Sequence, residues 1–266
     1  MTVITLTTDF GSGDHGISQM KGVIWTIAPE AQLVDLTHEI PRHDILAAQF
    51  ELESAAPYFP EGSIHLVVID PGVGTQRRAI ATRLGLQFFV GPDNGLVTPL
   101  LQRAEAHHWP VEMVHANRSQ YWRETVSPIF HGRDIFAPLA AYLARGVLLA
   151  ELGERINNPI RLSIPAPEML KNGWRGQIIQ VDHFGNLAAN IRGFHLEGMG
   201  PVQIIIGGVT LRGLSRTFGD GQPGDLLAMI DSSNHLSICR VNGSAAQHLK
   251  AGPGEPVEVR LLTAED

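Results

Sequence analysis

The apolar runs of this chain change period near residue 150, and that change limits the architectures open to it. Before it, strand-like runs alternate with patterns at helical spacing. VITL (3–6) precedes a helix-like stretch over 17–28 and LVDL (33–36) precedes one over roughly 44–57. IHLVVID (64–70) leads into a loop, and AIATRL and FFVG are followed by 95–106. Strands alternating with helices predict an α/β layer with a largely parallel sheet flanked by helices. FAPLAAYLARG closes this part as a helix, with Phe136, Leu139, Ala140 and Leu143 on one face and Gly146 at its end.

Beyond it the texture is different. INNPIRLSIPAPEMLKNG carries three prolines without sustained periodicity, the signature of a linker. The pieces that follow, RGQIIQVD, PVQIIIGGVTL, DLLAMID, LSICRV and PVEVRLL, are short, strand-like and separated by Gly- and Pro-containing turns. They predict a small antiparallel β-barrel. The expected organisation is an α/β domain over 1–158, a linker over 159–172 and a β-barrel domain over 173–266.

At 266 residues and 44% hydrophobic content the chain is long enough for a sizeable core. Its formal charge of −7 gives no basic footprint for nucleic acid or an anionic membrane, and so directs attention to small molecules. With one cysteine, Cys239, neither an internal disulfide nor a cysteine-rich zinc site can be built. No basic leader and no apolar stretch of spanning length opens the sequence, so a soluble cytoplasmic protein is expected.

Gly11, Gly13 and Gly16 spell G-x-G-x-x-G between a strand pattern and a helix pattern, and Asp35 closes the next strand. That is the outline of a dinucleotide site. Asp9 and Asp14, however, place two carboxylates where a pyrophosphate would sit, and such a cradle repels an anion. A neutral ribose diol suits an ionised Asp9 better. The alternative role for Asp9 is to N-cap the helix that begins near Gly16.

VVIDPGVGTQRR (67–78) ends a buried-type strand in Asp70, at the sheet edge where open α/β folds keep their sites. Pro71-Gly72 and Gly74 turn the chain so that Arg77 or Arg78 can return to Asp70, as an ion pair or as part of a site. His131, in FHGRDIFAP, supplies a group that exchanges protons near neutral pH. Among the 12 histidines, His38 and His43 of THEIPRH stand five apart with Pro41 between them. On a helix they would point about 140° apart, so no zinc-protease motif is present. There is also no G-x-S-x-G elbow and no Walker A sequence. In VDHFGNLAANI (181–191), Asp182 suits an ammonium group, Phe184 a flat ring and Asn186 a base edge. The same segment also reads as a β-turn whose Phe fills a small core.

Taken in order, TTDFG, DLTHEIPRHDI, VVIDPGVGT-x-RR, VGPDNGL, FHGRDIFAP and DHFGNL resemble the S-adenosylmethionine hydroxide adenosyltransferase family, the hydrolytic relatives of the fluorinase and chlorinase. The resemblance implies a homotrimer with sites at subunit interfaces. It also implies hydrolysis of S-adenosylmethionine to adenosine and L-methionine, without metal or other cofactor. By motif, the family's water-activating set falls on Asp70, Arg77 and His131. Asp9 would hold the ribose diol, Asp182 and Phe184 the methionine end and its surroundings, and Asn186 the adenine. DSSNHLSICRVNGSAA resembles the family's adenine loop. Ser232 matches its serine, while Ser237 and Arg240 stand where a Glu and a small apolar residue are usual, which leaves backbone contacts as the implied grip. The histidine of FHGRD is absent from the halide-using relatives, so its presence favours water as nucleophile. Halogenase-like adenosyl transfer, a nicotinamide-dependent oxidoreductase using the glycine loop, and a non-catalytic nucleoside-binding protein are the competing readings.

Overall fold

A run such as IHLVV carries apolar residues on both faces of a strand, so it is stable only with both sides of its sheet covered. In a computed structural model, which describes residues 1–162 and 165–262, this run is strand β3 and all five of its residues are buried. The chain divides into two compact units, 1–163 and 164–266.

The first unit holds β1 (Val3–Thr8), β2 (Gln32–Thr37), β3 (Ile64–Val68), β4 (Ala79–Leu84), β5 (Gln87–Pro92), β6 (Val111–His115) and β7 (Glu154–Arg155). They form one sheet in the order β2-β1-β3-β5-β4-β6-β7. Its longer helices are α1 (His15–Ile27), α2 (Ile45–Ala55), α3 (Thr98–Ala106) and α4 (Ala137–Ala144). Met20 and Ile24 of α1 share a core with Leu139 and Leu143 of α4. Ala48 and Leu52 of α2 share a separate one with Leu100 and Leu101 of α3. The sheet is thereby covered on both faces.

Only half of that sheet is parallel, which corrects the expectation of a largely parallel one. β1 runs parallel to β2 and β3, and β3 to β5, whereas β4–β5, β4–β6 and β6–β7 are antiparallel. The cause is local. AIATRL and QFFVGP are joined by only Gly85 and Leu86, and Gly85 has φ +63°, so the two strands close as a tight hairpin. A parallel pair needs a crossover of a dozen or more residues.

The chain leaves β1 through α1 to β2 on one side, then crosses through α2 to β3 on the other. The carboxyl ends of β1 and β3 therefore flank the point where strand order reverses, the crevice in which open α/β sheets bind ligands.

The second unit contains β8 (Glu168–Leu170), β9 (Gly173–Val181), β10 (Leu187–Arg192), β11 (Val202–Ile206), β12 (Val209–Arg212), β13 (Leu226–Ile230), β14 (His235–Arg240) and β15 (Pro256–Leu261). Every pairing is antiparallel, in the order β12-β11-β15-β9-β10-β14-β13 with β8 added on β9. Ser215 N, just past β12, donates to Ala228 O of β13 at 2.7 Å, so the sheet curls into a nearly closed barrel around Ile178, Ile191, Ile204, Ile238 and Val259. β8 lies inside the stretch expected as a linker. Of that stretch, residues 163–164 fall outside the described residues, as do 263–266 of the expected barrel.

Candidate active site

Asp70 follows the carboxyl end of β3, and the chain reverses immediately after it. Val73 N donates to Asp70 O at 3.2 Å and Thr75 N to Gly72 O at 3.1 Å. Gly74 completes the reversal at φ +77°, with its α-carbon so close to the Pro128 carbonyl that a Cβ would lie 2.5 Å from that oxygen. No side chain fits there. The reversal brings Arg77 back onto Asp70. Its Nε donates to Oδ1 at 2.9 Å and to Oδ2 at 3.1 Å, and Nη2 also donates to Oδ2. Both side chains are nearly buried, and the guanidinium carbon lies 4.9 Å from the centre of the Phe136 ring. Arg78 points elsewhere, to the buried Asp93 and to Asn158.

His131 joins this pair. It immediately precedes a single π-helical turn, Gly132–Phe136, that opens into α4; such turns recur at functional sites. Arg77 Nη2 lies 2.9 Å from His131 Nδ1. Burial first, and the Arg77 charge second, push the His131 pKa below its usual value, against the opposing pull of Asp70 and Asp134. The imidazole is therefore neutral around pH 7.

Asp134, fully buried, anchors the loop that carries His131. Its Oδ1 accepts from Arg123 Nη1 at 2.9 Å and Arg133 Nε at 2.7 Å, and its Oδ2 accepts from Ser127 N at 2.9 Å and Arg133 Nη2 at 2.8 Å. Burial pushes this carboxyl up, but the bonds from Arg133, Ser127 and Arg123 outweigh it and bring the pKa down to about 2.

Asp9 follows the carboxyl end of β1 and lines one pocket of about 160 Å³ together with Asp70 and His131. Its Oδ2 accepts from the backbone N–H of His43 at 2.9 Å. Asp9 does not cap α1; Asp14 does, accepting from Gly16 N at 2.5 Å. The glycine loop therefore offers no open phosphate cradle, because the helix N-terminus is taken by its own carboxylate. Asp35, the expected ribose acid of a dinucleotide fold, is held by Lys21 at 2.6 Å and by His38 Nε2 at 3.0 Å.

Sequence reasoning missed the pocket's remaining wall, made of Phe10, His43, Val73, Ile129 and Phe130. Phe10 meets Phe130 edge to face at 5.9 Å. His43 holds φ +62°, a backbone state rare outside glycine, and presents its N–H to Asp9. THEIPRH gave no signal of this beyond Pro41 breaking a helix. Ile129, 80% exposed, was invisible because an apolar residue in a loop carries no periodicity.

In the second unit, Asp182 organises the turn between β9 and β10. Its Oδ1 accepts from Phe184 N at 2.9 Å and Asn186 N at 2.8 Å, and its Oδ2 from Asn186 Nδ2 at 2.7 Å. Phe184 is 75% exposed and does not fill the core. β14 brings Ser237 and Arg240 toward this turn, since Leu187 pairs with Ile238. Ser237 is buried, with Oγ 3.6 Å from Cys239 Sγ, and Arg240 Nε donates to Gly224 O at 3.0 Å. Ser232 is exposed in the turn before β14, at the opposite end of that strand from Arg240. Among the described residues no group of three or more His, Cys, Asp or Glu side chains is placed to hold a metal ion, and no helix is long and apolar enough to cross a membrane.

Comparison with known proteins agrees with this layout over both units. Residues 4–153 match the model of the SAM hydroxide adenosyltransferase N-terminal domain, and 176–258 that of the C-terminal domain. The chain is 37% identical over 258 residues to an (R)-S-adenosyl-L-methionine hydrolase of Salinispora tropica, covering 96% of this chain and 97% of that protein. It is 27% identical to a fluorinase of an Actinoplanes species, covering 94% and 95%. The crystal structure of an uncharacterized conserved protein from Thermotoga maritima superposes with a TM-score of 0.86 at 33% identity, over 98% of this chain and all of that one. The chain belongs to the SAM hydroxide adenosyltransferase family.

Proposed function

We propose that this protein hydrolyses S-adenosyl-L-methionine to adenosine and L-methionine by in-line attack of a water-derived hydroxide on C5′. The observation that carries the reading is Arg77 bonded at once to Asp70 and to the ring of His131, the carboxylate and the imidazole both lining one pocket with Asp9. Sulfonium is a good leaving group, so what the reaction lacks is a nucleophile. Arg77 offers only N–H donors, which makes Nδ1 of His131 an acceptor and leaves the imidazole proton on Nε2. Arg77 and this N–H favour the deprotonated form of a water bound beside them. Its proton passes to solvent, the oxygen bonds to C5′, and the C5′–S pair returns to sulfur as the neutral thioether of methionine. Asp70 fixes the guanidinium through the whole sequence.

Asp9 is the grip on the ribose diol. Asp182, Phe184 and Asn186 serve the methionine end and the adenine, with Ser232, Ser237 and Arg240 belonging to the adenine loop. A pocket of about 160 Å³ is below the roughly 300 Å³ at which sites for ligands of this size begin. A homotrimer with sites at subunit interfaces supplies the missing enclosure, and light scattering on the purified protein tests it. The proposed location is the cytoplasm, a reducing compartment that suits the lone buried Cys239.

Incubation with S-adenosylmethionine followed by chromatography should give adenosine and methionine in equal amounts. Stabilisation by adenosine without turnover would favour a nucleoside-binding protein, and halide-dependent loss of substrate would favour a halogenase-like transfer.

A further inference from the structure

The first unit holds a cavity of about 370 Å³ that is separate from the one at Asp70. It surrounds the Gly85-Leu86 turn between β4 and β5 and the segment that precedes β3. Asp70 follows the other end of β3, a strand length of roughly 17 Å away. Phe59, Leu84, Leu86 and Trp109 give it an apolar wall, and Arg83 and Arg103 give it charge. Glu61, the one carboxylate lining it, is exposed.

Arg103 is the unusual member. It projects from the last turn of α3, and burial lowers its pKa. Its guanidinium carbon lies 5.1 Å from the Trp109 ring centre, and His107 stacks on the same indole at 4.8 Å. Among the described residues no carboxylate or carbonyl accepts from Arg103, whereas Arg77 has Asp70, Arg78 has Asp93 and Arg133 has Asp134. Arg83 beside it donates to Gly85 O at 3.1 Å and lies 3.9 Å from Glu112. A partly desolvated guanidinium without an anion is an incomplete arrangement.

The walls are fixed before any ligand arrives. Gln87 Nε2 clamps Ala56 O at 3.0 Å and Phe59 O at 2.8 Å. Gly85 N donates to Pro110 O at 2.9 Å and Gly62 N to Leu86 O at 2.7 Å. A preformed, mostly apolar pocket with a few convergent polar groups is the usual form of a small-molecule site.

We propose that this cavity is a second binding site, separate from the Asp70 pocket, for a small organic carboxylate with an apolar or aromatic body. The carboxylate pairs with Arg103 and the body lies against Phe59, Leu84 and Leu86.

Calorimetric titration with 3-phenylpropionate and with its neutral amide, 3-phenylpropionamide, tests this. The acid should bind wild-type protein at least tenfold more tightly than the amide, the factor expected of a charge-assisted pair. Arg103→Gln should remove that preference, Arg103→Lys should keep part of it, and His131→Ala should leave acid binding unchanged. Equal binding of acid and amide, no binding of the acid at millimolar concentration, undiminished binding to Arg103→Gln, or loss of binding in His131→Ala would each overturn the proposal. If Arg103→Gln does not fold, the acid and amide comparison on the wild-type protein decides alone.

Discussion

The guanidinium of Arg77 and the imidazole of His131 are separated by 54 positions in sequence and by 2.9 Å in space, from Nη2 to Nδ1. Because an arginine cannot accept, the contact fixes the tautomer of the histidine. Nδ1 is the acceptor and Nε2 carries the proton, so His131 meets the pocket as a hydrogen-bond donor rather than as a base.

A donor can be replaced by another donor. His131→Gln, whose amide N–H can occupy the position of the imidazole N–H, should retain more turnover than His131→Ala, which is expected to lose about 10²–10⁴ in kcat. Adenosine affinity should change little in either. Equal kcat values for the two variants would argue for proton abstraction by the ring instead.

The same contact sets a pH dependence. Burial and the Arg77 charge both depress the His131 pKa, so the neutral donor form persists below pH 6.5, the ordinary histidine value, and is lost only as pH falls through the depressed value. The acid limb of kcat/KM should accordingly lie below 6.5. An NMR titration of His131 in Arg77→Gln should give a higher value than in wild type, since one of the two depressing influences is gone. An unchanged or lower value would contradict the assigned contact.

Asp134, in the π-helical turn after His131, holds the segment that precedes that histidine through Arg123 and Ser127 N, and it also accepts from Arg133. Asp134→Asn keeps the shape but removes the charge, and should cost about 2 kcal/mol of stability near neutral pH. The carboxyl has its pKa lowered from 3.8 to about 2, so its contribution is fully present above pH 3.8 and disappears as pH falls through 2. Denaturant unfolding at pH 7 and at pH 2 should thus show a large difference between variant and wild type at the first and a much smaller one at the second.

The residues of the Asp70 cluster were legible in the sequence because each is marked by a local cause: a buried strand that ends in a carboxylate, glycines that force a reversal, a histidine before a helix. Their bonding was not. Nothing in the spacing chooses Arg77 over Arg78 for Asp70; the choice follows from alternation at the start of β4, where Arg78 turns to Asp93 instead. The antiparallel half of the first sheet was written in the Gly85-Leu86 link but outweighed by the alternation of strands with helices. β10 was hidden because NLAANIR is short of β-branched residues, and it is a strand through its pairing with β9 and β14. His43 could not be found from residue type, since its part is played by a backbone N–H.

That N–H makes Asp9 testable. With Oδ2 taken by His43, Oδ1 remains for one ribose hydroxyl and the second lone pair of Oδ2 for the other. The proposed grip of Asp9 on the diol acts equally in ground and transition states, so Asp9→Asn should weaken adenosine binding and raise KM by roughly tenfold, with kcat far less affected. A change confined to kcat would remove Asp9 from substrate binding.

The origin of the oxygen in the product settles the nucleophile. Asp70 and Asp9 both line the pocket with His131, and either carboxylate could in principle attack C5′ and form an ester. Asp70, however, already accepts three hydrogen bonds from Arg77, which lowers its nucleophilicity, and Asp9 is assigned to the diol. A first turnover in ¹⁸O-water at excess enzyme should therefore place the label in the 5′-hydroxyl of adenosine and leave methionine unlabelled. A substrate made chiral at C5′ with deuterium should invert, because a single displacement occurs. An ester intermediate hydrolysed at its carbonyl would instead deliver an unlabelled carboxylate oxygen to adenosine in that first turnover and leave ¹⁸O on the aspartate. Unlabelled adenosine would thus exclude water as the attacking group at C5′, while leaving S-adenosylmethionine as the substrate.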